Sequence, residues 1–178
     1  LVVPRIQNLL QNAKDSSKVG RTIEDNKSEI AQQIIDTMEE EALYLLGPGT
    51  TVKSITDQLN LTKSLLGVDA ICNQSLIGED LNENSIIALL DRYHNVKIIV
   101  SPIGGQGFVF GRGNKQFTPN ILKRVGKKNI IIISTEDKIK SLKCLRVDTG
   151  DDEVDMLLKG LTKVIIGYKE ELICEIEC

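Results

Sequence analysis

The chain has 178 residues, of which 41% are hydrophobic and 26% charged, a composition typical of one globular domain with a sizeable buried core. The formal net charge of -3 argues against a general affinity for nucleic acid or for an anionic membrane surface. The sequence shows no signal peptide and no apolar run near the roughly 18–20 residues that a membrane-spanning helix needs, so we expect a cytoplasmic protein.

The first residues are predicted to stand apart from the remainder of the chain. Residues 1–4 are similar to the end of a strand, and residues 5–27 are polar with little periodicity, which favours a loop. We therefore interpret residues 1–27 as a partial strand and polar loop left from a preceding region, and residues 28–178 as a single α/β domain.

Short apolar runs alternate with segments of helical periodicity along residues 28–178. Strands are predicted at residues 42–46, 67–72, 96–100, 130–133, 145–147, 161–166 and 172–176, and helices at residues 28–41, 52–59, 85–93, 119–126, 136–142 and 152–159. This alternation predicts an α/β fold with an open, mostly parallel sheet and helices on both faces. Ligands of such sheets bind at the carboxyl edge, where the glycine-rich loops of this chain are expected.

The first candidate site is the turn that follows the strand at residues 42–46. Gly47 and Gly49 permit a tight turn, and Thr50 and Thr51 then begin a helix whose free backbone N–H groups can bind an anion. The alternative is that a threonine merely caps this helix. The turn has neither the third glycine of a dinucleotide fingerprint, since Val52 stands there, nor the Gly-Lys-Ser/Thr of a P-loop.

The second candidate site is the long loop at residues 101–118, where five of the 14 glycines of the chain lie between positions 104 and 113. Such a density of glycine is costly in conformational entropy, and it suits backbone that approaches a ligand closely. A flexible surface loop is the alternative. The residues of this loop that we expect to bind a phosphorylated ligand are Gly104, Gly105, Gln106, Gly107, Arg112, Gly113 and Asn114, with Arg112 as a fork for phosphate or carboxylate.

Three further positions carry weaker signals. Asp69 lies in an apolar strand and needs a partner, which a ligand or a structural contact could equally supply. Asp148 and Thr149 precede a helix, so they are expected to cap it or to contact a ligand.

The sequence gives little support for a metal site or for a catalytic nucleophile. The four cysteines lack the spacing of a zinc site and are expected to be reduced, so no metal site is predicted. With His94 as the one histidine, no catalytic residue can be assigned.

Several segments together are similar to a known family. They are residues 45–51, 65–69, 101–116, 147–151 and 165–168, and the Pro-Ile-Gly-Gly-Gln-Gly-Phe run at residues 102–108 is the most specific. On these segments the chain resembles the predicted ATP-NAD kinases, a group that includes the acetoin-catabolism X-like proteins. The resemblance extends from about Ser28 onward and corresponds to the C-terminal domain of that family.

The resemblance implies NAD phosphorylation by the parent protein, with ATP and magnesium as cofactors. In the family, an N-terminal domain carries a Gly-Gly-Asp-Gly motif that binds phosphates and supplies the catalytic aspartate, and this sequence contains no such motif. The resemblance therefore implies a fragment that is inactive alone, whose partners are a phosphorylated small molecule, the N-terminal domain of the same protein and further copies of itself as a homo-oligomer.

Two other interpretations stay open. The strand, the Gly-x-Gly-Thr-Thr turn and the helix are also similar to the phosphate loop of ribose-phosphate isomerase-like and related effector domains. In that case the turn holds a sugar phosphate and Asp69 lies near the sugar. The third possibility is a structural or dimerisation domain whose loops bind nothing.

Overall fold

The computed structural model describes residues 20–177. The helices are α1 (Ile23–Thr37), α2 (Thr50–Gln58), α3 (Glu83–Arg92), α4 (Pro119–Val125), α5 (Glu136–Ser141) and α6 (Asp152–Leu158). The strands are β1 (Leu43–Leu46), β2 (Val68–Cys72), β3 (Ser75–Leu81), β4 (Val96–Val100), β5 (Phe108–Phe110), β6 (Ile130–Ile133), β7 (Arg146–Val147), β8 (Gly160–Gly167) and β9 (Glu170–Ile176). Across residues 20–177, no helix is both long enough and apolar enough to cross a membrane.

A seven-stranded sheet in the order β3-β2-β1-β4-β6-β8-β9 forms the centre of the fold. Its middle strands β1, β4, β6 and β8 are parallel, which confirms the predicted α/β class. The outer pairings β1–β2, β2–β3 and β8–β9 are antiparallel. Because β2 runs against β1, the start of β2 lies beside the end of β1, with Leu46 opposite Asp69.

Helices cover both faces of this sheet, as predicted. Leu43 and Leu45 of β1 face the cluster formed by α3, α4, α5 and α6, whereas Tyr44 and Leu46 face α1 and α2. The alternation follows from the two-residue period of a strand, and each fully buried aliphatic side chain contributes about 1.5–3 kcal/mol to the free energy of unfolding. Because helices cover both faces, successive residues of β1 are all buried and form a continuous apolar run in the sequence.

Helix α1 begins earlier than the sequence pattern suggests. It starts at Ile23, because Thr22 and Asp25 form a capping box in which each side chain accepts a hydrogen bond from the backbone N–H of the other. The prediction of a loop is therefore wrong for residues 23–27, and residues 1–19 lie outside the described residues.

The side chain of Asn26 joins α1 to two other elements. It is 4% exposed, its Nδ2 donates to the carbonyl oxygen of Ile166 at 2.7 Å, and its Oδ1 accepts from the backbone N–H of Glu136 at 2.8 Å. The Arg21 guanidinium also donates to Glu136 Oε1 at 2.7 Å. These bonds fix α1 at the carboxyl edge, beside the end of β8 and the start of α5.

Two further elements were not predicted. Strand β3 has mostly exposed or half-buried side chains, so it shows no apolar run in the sequence. Within the long loop, β5 pairs with β7 in a separate two-stranded parallel sheet, which converts the middle of a predicted loop into regular structure.

Candidate functional site

A cavity of about 520 Å³ opens at the carboxyl ends of β1, β4 and β6. Its walls come from the turn after β1, the loop after β4, the residues after β6, helix α1 and the segment before β2. The lining residues are Ile23, Lys27, Pro48, Gly49, Thr50, Thr51, Leu65, Leu66, Ser101, Pro102, Ile103, Gly104, Gly113, Ser134, Thr135 and Lys138. The position agrees with the general rule for ligands of open α/β sheets.

The N-terminus of α2 faces this cavity. Gly49 is the N-cap, with φ 113, and no side chain caps the helix. The first intrahelical bond runs from the N–H of Lys53 to the carbonyl oxygen of Gly49 at 3.0 Å, so the N–H groups of Thr50 and Thr51 have no acceptor within the helix. The helix dipole adds a partial positive charge at the same place.

Two lysines give the cavity a positive character. Lys27 Nζ donates to Thr50 Oγ1 at 3.0 Å and lies 3.4 Å from Glu24 Oε1. Lys138 Nζ donates to the carbonyl oxygen of Gly104 at 2.8 Å. Among residues 20–177, none of the residues that line the cavity is acidic, although the chain as a whole carries a net charge of -3. The cavity is therefore locally suited to an anion.

The mouth of the cavity is apolar. Ile23 of α1 is 51% exposed, and Leu65 and Leu66 from the segment before β2 are 50% and 78% exposed. Pro102, which is buried, and Ile103, which is half-buried, add apolar lining from the loop after β4. The cavity thus combines two lysines and a helix N-terminus with exposed apolar side chains.

Gly47 does not line the cavity. Its N–H donates to the carbonyl oxygen of Ile99 at 2.9 Å, and a Cβ at this position would lie 3.0 Å from Val100 Cγ1. The residue type is therefore explained by close packing of the turn against β4 rather than by contact with the cavity.

Asp69 is enclosed by protein partners. Its carboxylate accepts hydrogen bonds from the Ser64 backbone N–H at 2.9 Å, the Ser64 hydroxyl at 2.8 Å and the Asp80 N–H at 2.7 Å. Lys63 Nζ lies 2.9 Å from Asp69 Oδ2, and both side chains are fully buried. Burial raises the pKa of Asp69, but the hydrogen bonds and the ammonium of Lys63 outweigh it and hold the pKa below its usual range.

Only two of the predicted residues of the second loop line the cavity, namely Gly104 and Gly113. Gly105 and Gln106 are exposed at the tip of the turn beyond it. Gly107 has φ 74, and a Cβ there would lie 2.9 Å from the carbonyl oxygen of Cys144, so its role is packing.

Arg112 and Asn114 lie outside the lining as well. The Arg112 guanidinium stacks 4.4 Å from the centre of the Phe108 ring, and it lies 3.7 Å from Asp148 Oδ2. Asn114 is fully buried, where its Nδ2 donates to the carbonyl oxygen of Val109 at 2.7 Å. Asn114 therefore holds the loop in shape, and a phosphate contact for Arg112 stays a prediction.

Thr149 and its neighbours stabilise the start of α6. The Thr149 hydroxyl donates to Asp155 Oδ1 at 2.7 Å, and Asp151 caps the helix by accepting from the N–H groups of Glu153 and Val154. The residue that caps α6 is thus Asp151 rather than Asp148 or Thr149, and a ligand contact for Asp148 and Thr149 stays a prediction.

Seven residues of the site lie outside the two candidate loops of the sequence, namely Ile23, Lys27, Leu65, Leu66, Ser134, Thr135 and Lys138. Ser134 and Thr135 directly follow a predicted strand, and that position is a signal that could have found them. Lys27 and Leu66 reach the cavity only through the packing of distant segments. Within residues 20–177, no group of three or more His, Cys, Asp or Glu side chains is placed to hold a metal ion.

Comparison with known protein families matches residues 39–176 to the ATP-NAD kinase C-terminal domain. Comparisons with curated proteins and with solved structures found no match. The match covers most of the chain and includes the turn after β1, the segment before β2 and the loop after β4. The resemblance noted in the sequence is thereby confirmed, and the chain belongs to the ATP-NAD kinase C-terminal domain family.

Proposed function

We propose that this domain binds the phosphate groups of a nucleotide or dinucleotide in the cavity at the carboxyl edge, as the C-terminal part of an NAD kinase-like protein. The observation that carries the proposal is the uncapped N-terminus of α2, which faces a cavity with two lysines and no acidic lining residue. Free N–H groups and ammonium groups are the donors that phosphate oxygens require.

The residues present fit the phosphates of NAD and ATP, the cofactors that the family implies. The N–H groups of Thr50 and Thr51 would hold one phosphate, with Lys27 beside them. Lys138, which lines the same cavity from α5 and donates to the carbonyl oxygen of Gly104, would hold a second phosphate. Magnesium usually keeps several waters and binds through substrate phosphates together with one or two carboxylates. The lining residues within 20–177 include no carboxylate, so any protein carboxylate for magnesium would have to come from outside this lining.

In this proposal, phosphate binding and catalysis are assigned to different domains. Bound ATP supplies the phosphoryl group for transfer to NAD, and such transfer depends mainly on positioning and electrostatic stabilisation. In our proposal the cavity residues bind and orient the phosphates, while the Gly-Gly-Asp-Gly motif and its catalytic aspartate belong to an N-terminal domain. The cytoplasmic location, the N-terminal partner domain and the homo-oligomer stay predictions, and sedimentation of the purified chain tests the last of these.

The test is isothermal titration calorimetry of the chain with NAD, NADP, ATP and ribose 5-phosphate. We expect at least one nucleotide to bind, and Lys27→Met to weaken that binding about tenfold or more, because a charge-assisted hydrogen bond contributes roughly 1.5–3 kcal/mol. Lys53→Met is the matched control, since Lys53 lies on α2, pairs with Asp57 at 2.8 Å and does not line the cavity.

Two results would contradict the proposal. One is that none of the four compounds binds, which would favour a structural domain. The other is equal weakening in both lysine variants, which would place the ligand elsewhere. Binding of ribose 5-phosphate alone would favour the sugar-phosphate interpretation over the nucleotide.

A further inference from the structure

We propose that Leu65 and Leu66 determine which phosphorylated ligands bind, by covering a planar ring attached to the phosphate-bearing part. The inference rests on the proposed function, because it assumes that the phosphate binds at the N-terminus of α2. Residues 60–67, which connect α2 to β2, are called the lip below.

The apolar side chains at the mouth come from separate parts of the chain. Leu66 is 78% exposed and Leu65 is 50% exposed on the lip, and Ile23 is 51% exposed on α1. A single exposed leucine on a protein surface needs no explanation, but three such side chains around one cavity form a surface that a ligand can cover. Covering aliphatic side chains contributes most to the binding free energy when the covering part of the ligand is itself weakly hydrated.

The lip is held rigidly although its tip is exposed. Lys63, itself a residue of the lip, forms a buried ion pair with Asp69 of β2 and also donates to the carbonyl oxygens of Ser64 at 2.7 Å and Gly67 at 3.0 Å. A ligand that contacts the lip therefore does not have to order it first, which lowers the entropic cost of binding.

The lip is also joined to the anion end of the cavity. The N–H of Gly49, the N-cap of α2, donates to the carbonyl oxygen of Leu65 at 3.1 Å. The apolar tip and the helix N-terminus thus keep a fixed separation, as expected for recognition of one molecule with a charged end and an apolar end. The volume of about 520 Å³ lies in the range of small-molecule sites.

A flat ring fits this arrangement better than a bare sugar. Leu65 and Leu66 line the cavity from the lip, Ile23 from α1, and Ile103 from the loop after β4. The faces of a heteroaromatic ring are weakly hydrated and can cover these side chains, whereas the hydroxyl groups of a sugar would lose water there without gaining a partner. The ligand class is therefore a phosphate ester that carries a heteroaromatic base.

The experiment compares adenosine monophosphate with ribose 5-phosphate, which has the same sugar and phosphate but lacks the base. Calorimetry of the wild-type chain should give an affinity for adenosine monophosphate at least about tenfold higher, as expected when apolar surface is covered. In the double variant Leu65→Ala with Leu66→Ala this preference should fall to about twofold or less, while the affinity for ribose 5-phosphate stays unchanged. The double variant Met156→Ala with Leu157→Ala is the control, because both side chains are exposed and neither lines the cavity.

Each other outcome overturns the inference. Equal binding of the two compounds by the wild type would leave phosphate binding intact and remove the role of the lip. An unchanged preference in the lip variant would do the same. Hexyl phosphate bound as tightly as adenosine monophosphate would show that the lip receives any apolar group rather than a ring. If neither compound binds, the inference fails, and the panel of NAD, NADP and ATP decides separately whether the proposed function survives.

Discussion

The turn at residues 47–51 and the loop at residues 101–118 both follow central parallel strands, and both are rich in glycine. The turn contributes Pro48, Gly49, Thr50 and Thr51 to the cavity in one continuous stretch. The loop contributes only its first residues and Gly113, because its middle forms β5 and pairs with β7.

This difference shows that glycine content alone does not identify a ligand-binding backbone. At Gly111 in the loop, φ is 98, and a Cβ would collide with the carbonyl oxygen of Asp148. At Gly49 in the turn, φ is 113, but a Cβ would meet only Ser101 Oγ at 3.6 Å. The first glycine lets two segments of the protein pack together, whereas the second leaves the N-terminus of a helix open.

The largest loss of stability is expected when the carboxylate of Asp69, which pairs with Lys63 of the lip, is removed. Asp69→Ala leaves the ammonium of Lys63 buried without its partner, so the free energy of unfolding should fall by about 3–5 kcal/mol. Urea unfolding measures this loss, and Asp57→Ala, which removes an exposed pair with Lys53, should cost less than about 1 kcal/mol. Equal losses in the two variants would mean that the buried pair has no special role.

The carboxylate of Asp69 should also make the free energy of unfolding depend on pH. Because the pKa of Asp69 is lowered in the folded chain, its contribution to stability is complete above the unfolded pKa of about 3.9 and is lost as the pH falls through the lower folded pKa. Urea unfolding between about pH 2 and pH 7 should show this loss in the wild type and less of it in Asp69→Asn. Parallel curves for the two proteins would contradict the assignment.

The next effect tests the packed loop. Gly111→Ala should lower the free energy of unfolding by roughly 2–5 kcal/mol, from the left-handed backbone and the clash with Asp148 together. Gly150→Ala is the control, because Gly150 has φ 86 but no atom within 4 Å of a Cβ, so it bears only the backbone strain of about 1–2 kcal/mol. Similar losses would show that packing at Gly111 is loose.

A smaller effect, on affinity, tests the open turn. Gly49→Ala should weaken nucleotide binding about tenfold, because an added methyl group hinders approach of a phosphate to the N–H groups of α2. Gly104→Ala also alters a lining glycine of positive φ, but its Cβ would meet nothing within 4 Å, so it should change affinity less than about threefold. Calorimetry below the unfolding temperature of both variants separates these outcomes, and a reversed order would place the phosphate against the loop.

The smallest effect is expected at Arg112. Its ion pair with Asp148 is 3.7 Å long and exposed, so Arg112→Ala should change the free energy of unfolding by less than about 1 kcal/mol. Since Arg112 stacks on Phe108 outside the lining of the cavity, affinity for nucleotide should fall less than about threefold. A tenfold loss in the same calorimetric assay would restore the phosphate contact that the sequence pattern suggests.

The sequence predicted the fold class because the buried central strands are continuous apolar runs separated by helical periodicity. It could not reveal β3, whose side chains are largely exposed, or the antiparallel direction of β2, because a fully buried strand has the same pattern in either direction. The start of α1 was missed because its capping box lies in a polar stretch without an apolar run.

The site was predicted where its residues follow a strand or belong to the glycine-rich loop, as Gly104 and Gly113 do. Gly49, Thr50 and Thr51 fall in that class, and the structure places them around the cavity. Lys27 and Leu66 do not, because they meet the turn only after α1 and the lip have packed against it. Hydrophobic periodicity describes residues that are close along the chain. The positions of Lys27 and Leu66 beside the turn depend instead on contacts between distant segments.

Helix α1 lies before residue 39, where the family match begins, yet it supplies one wall of the cavity through Ile23 and Lys27. Its attachment through Asn26 to Ile166 and Glu136 is independent of those two side chains. Substitutions at positions 23 and 27 would therefore change the ligand-facing side chains of α1 while leaving the bonds of Asn26 in place. A domain trimmed to its family boundaries would keep the N–H groups of Thr50 and Thr51 but would lose Lys27 from the anion end and Ile23 from the apolar part of the site.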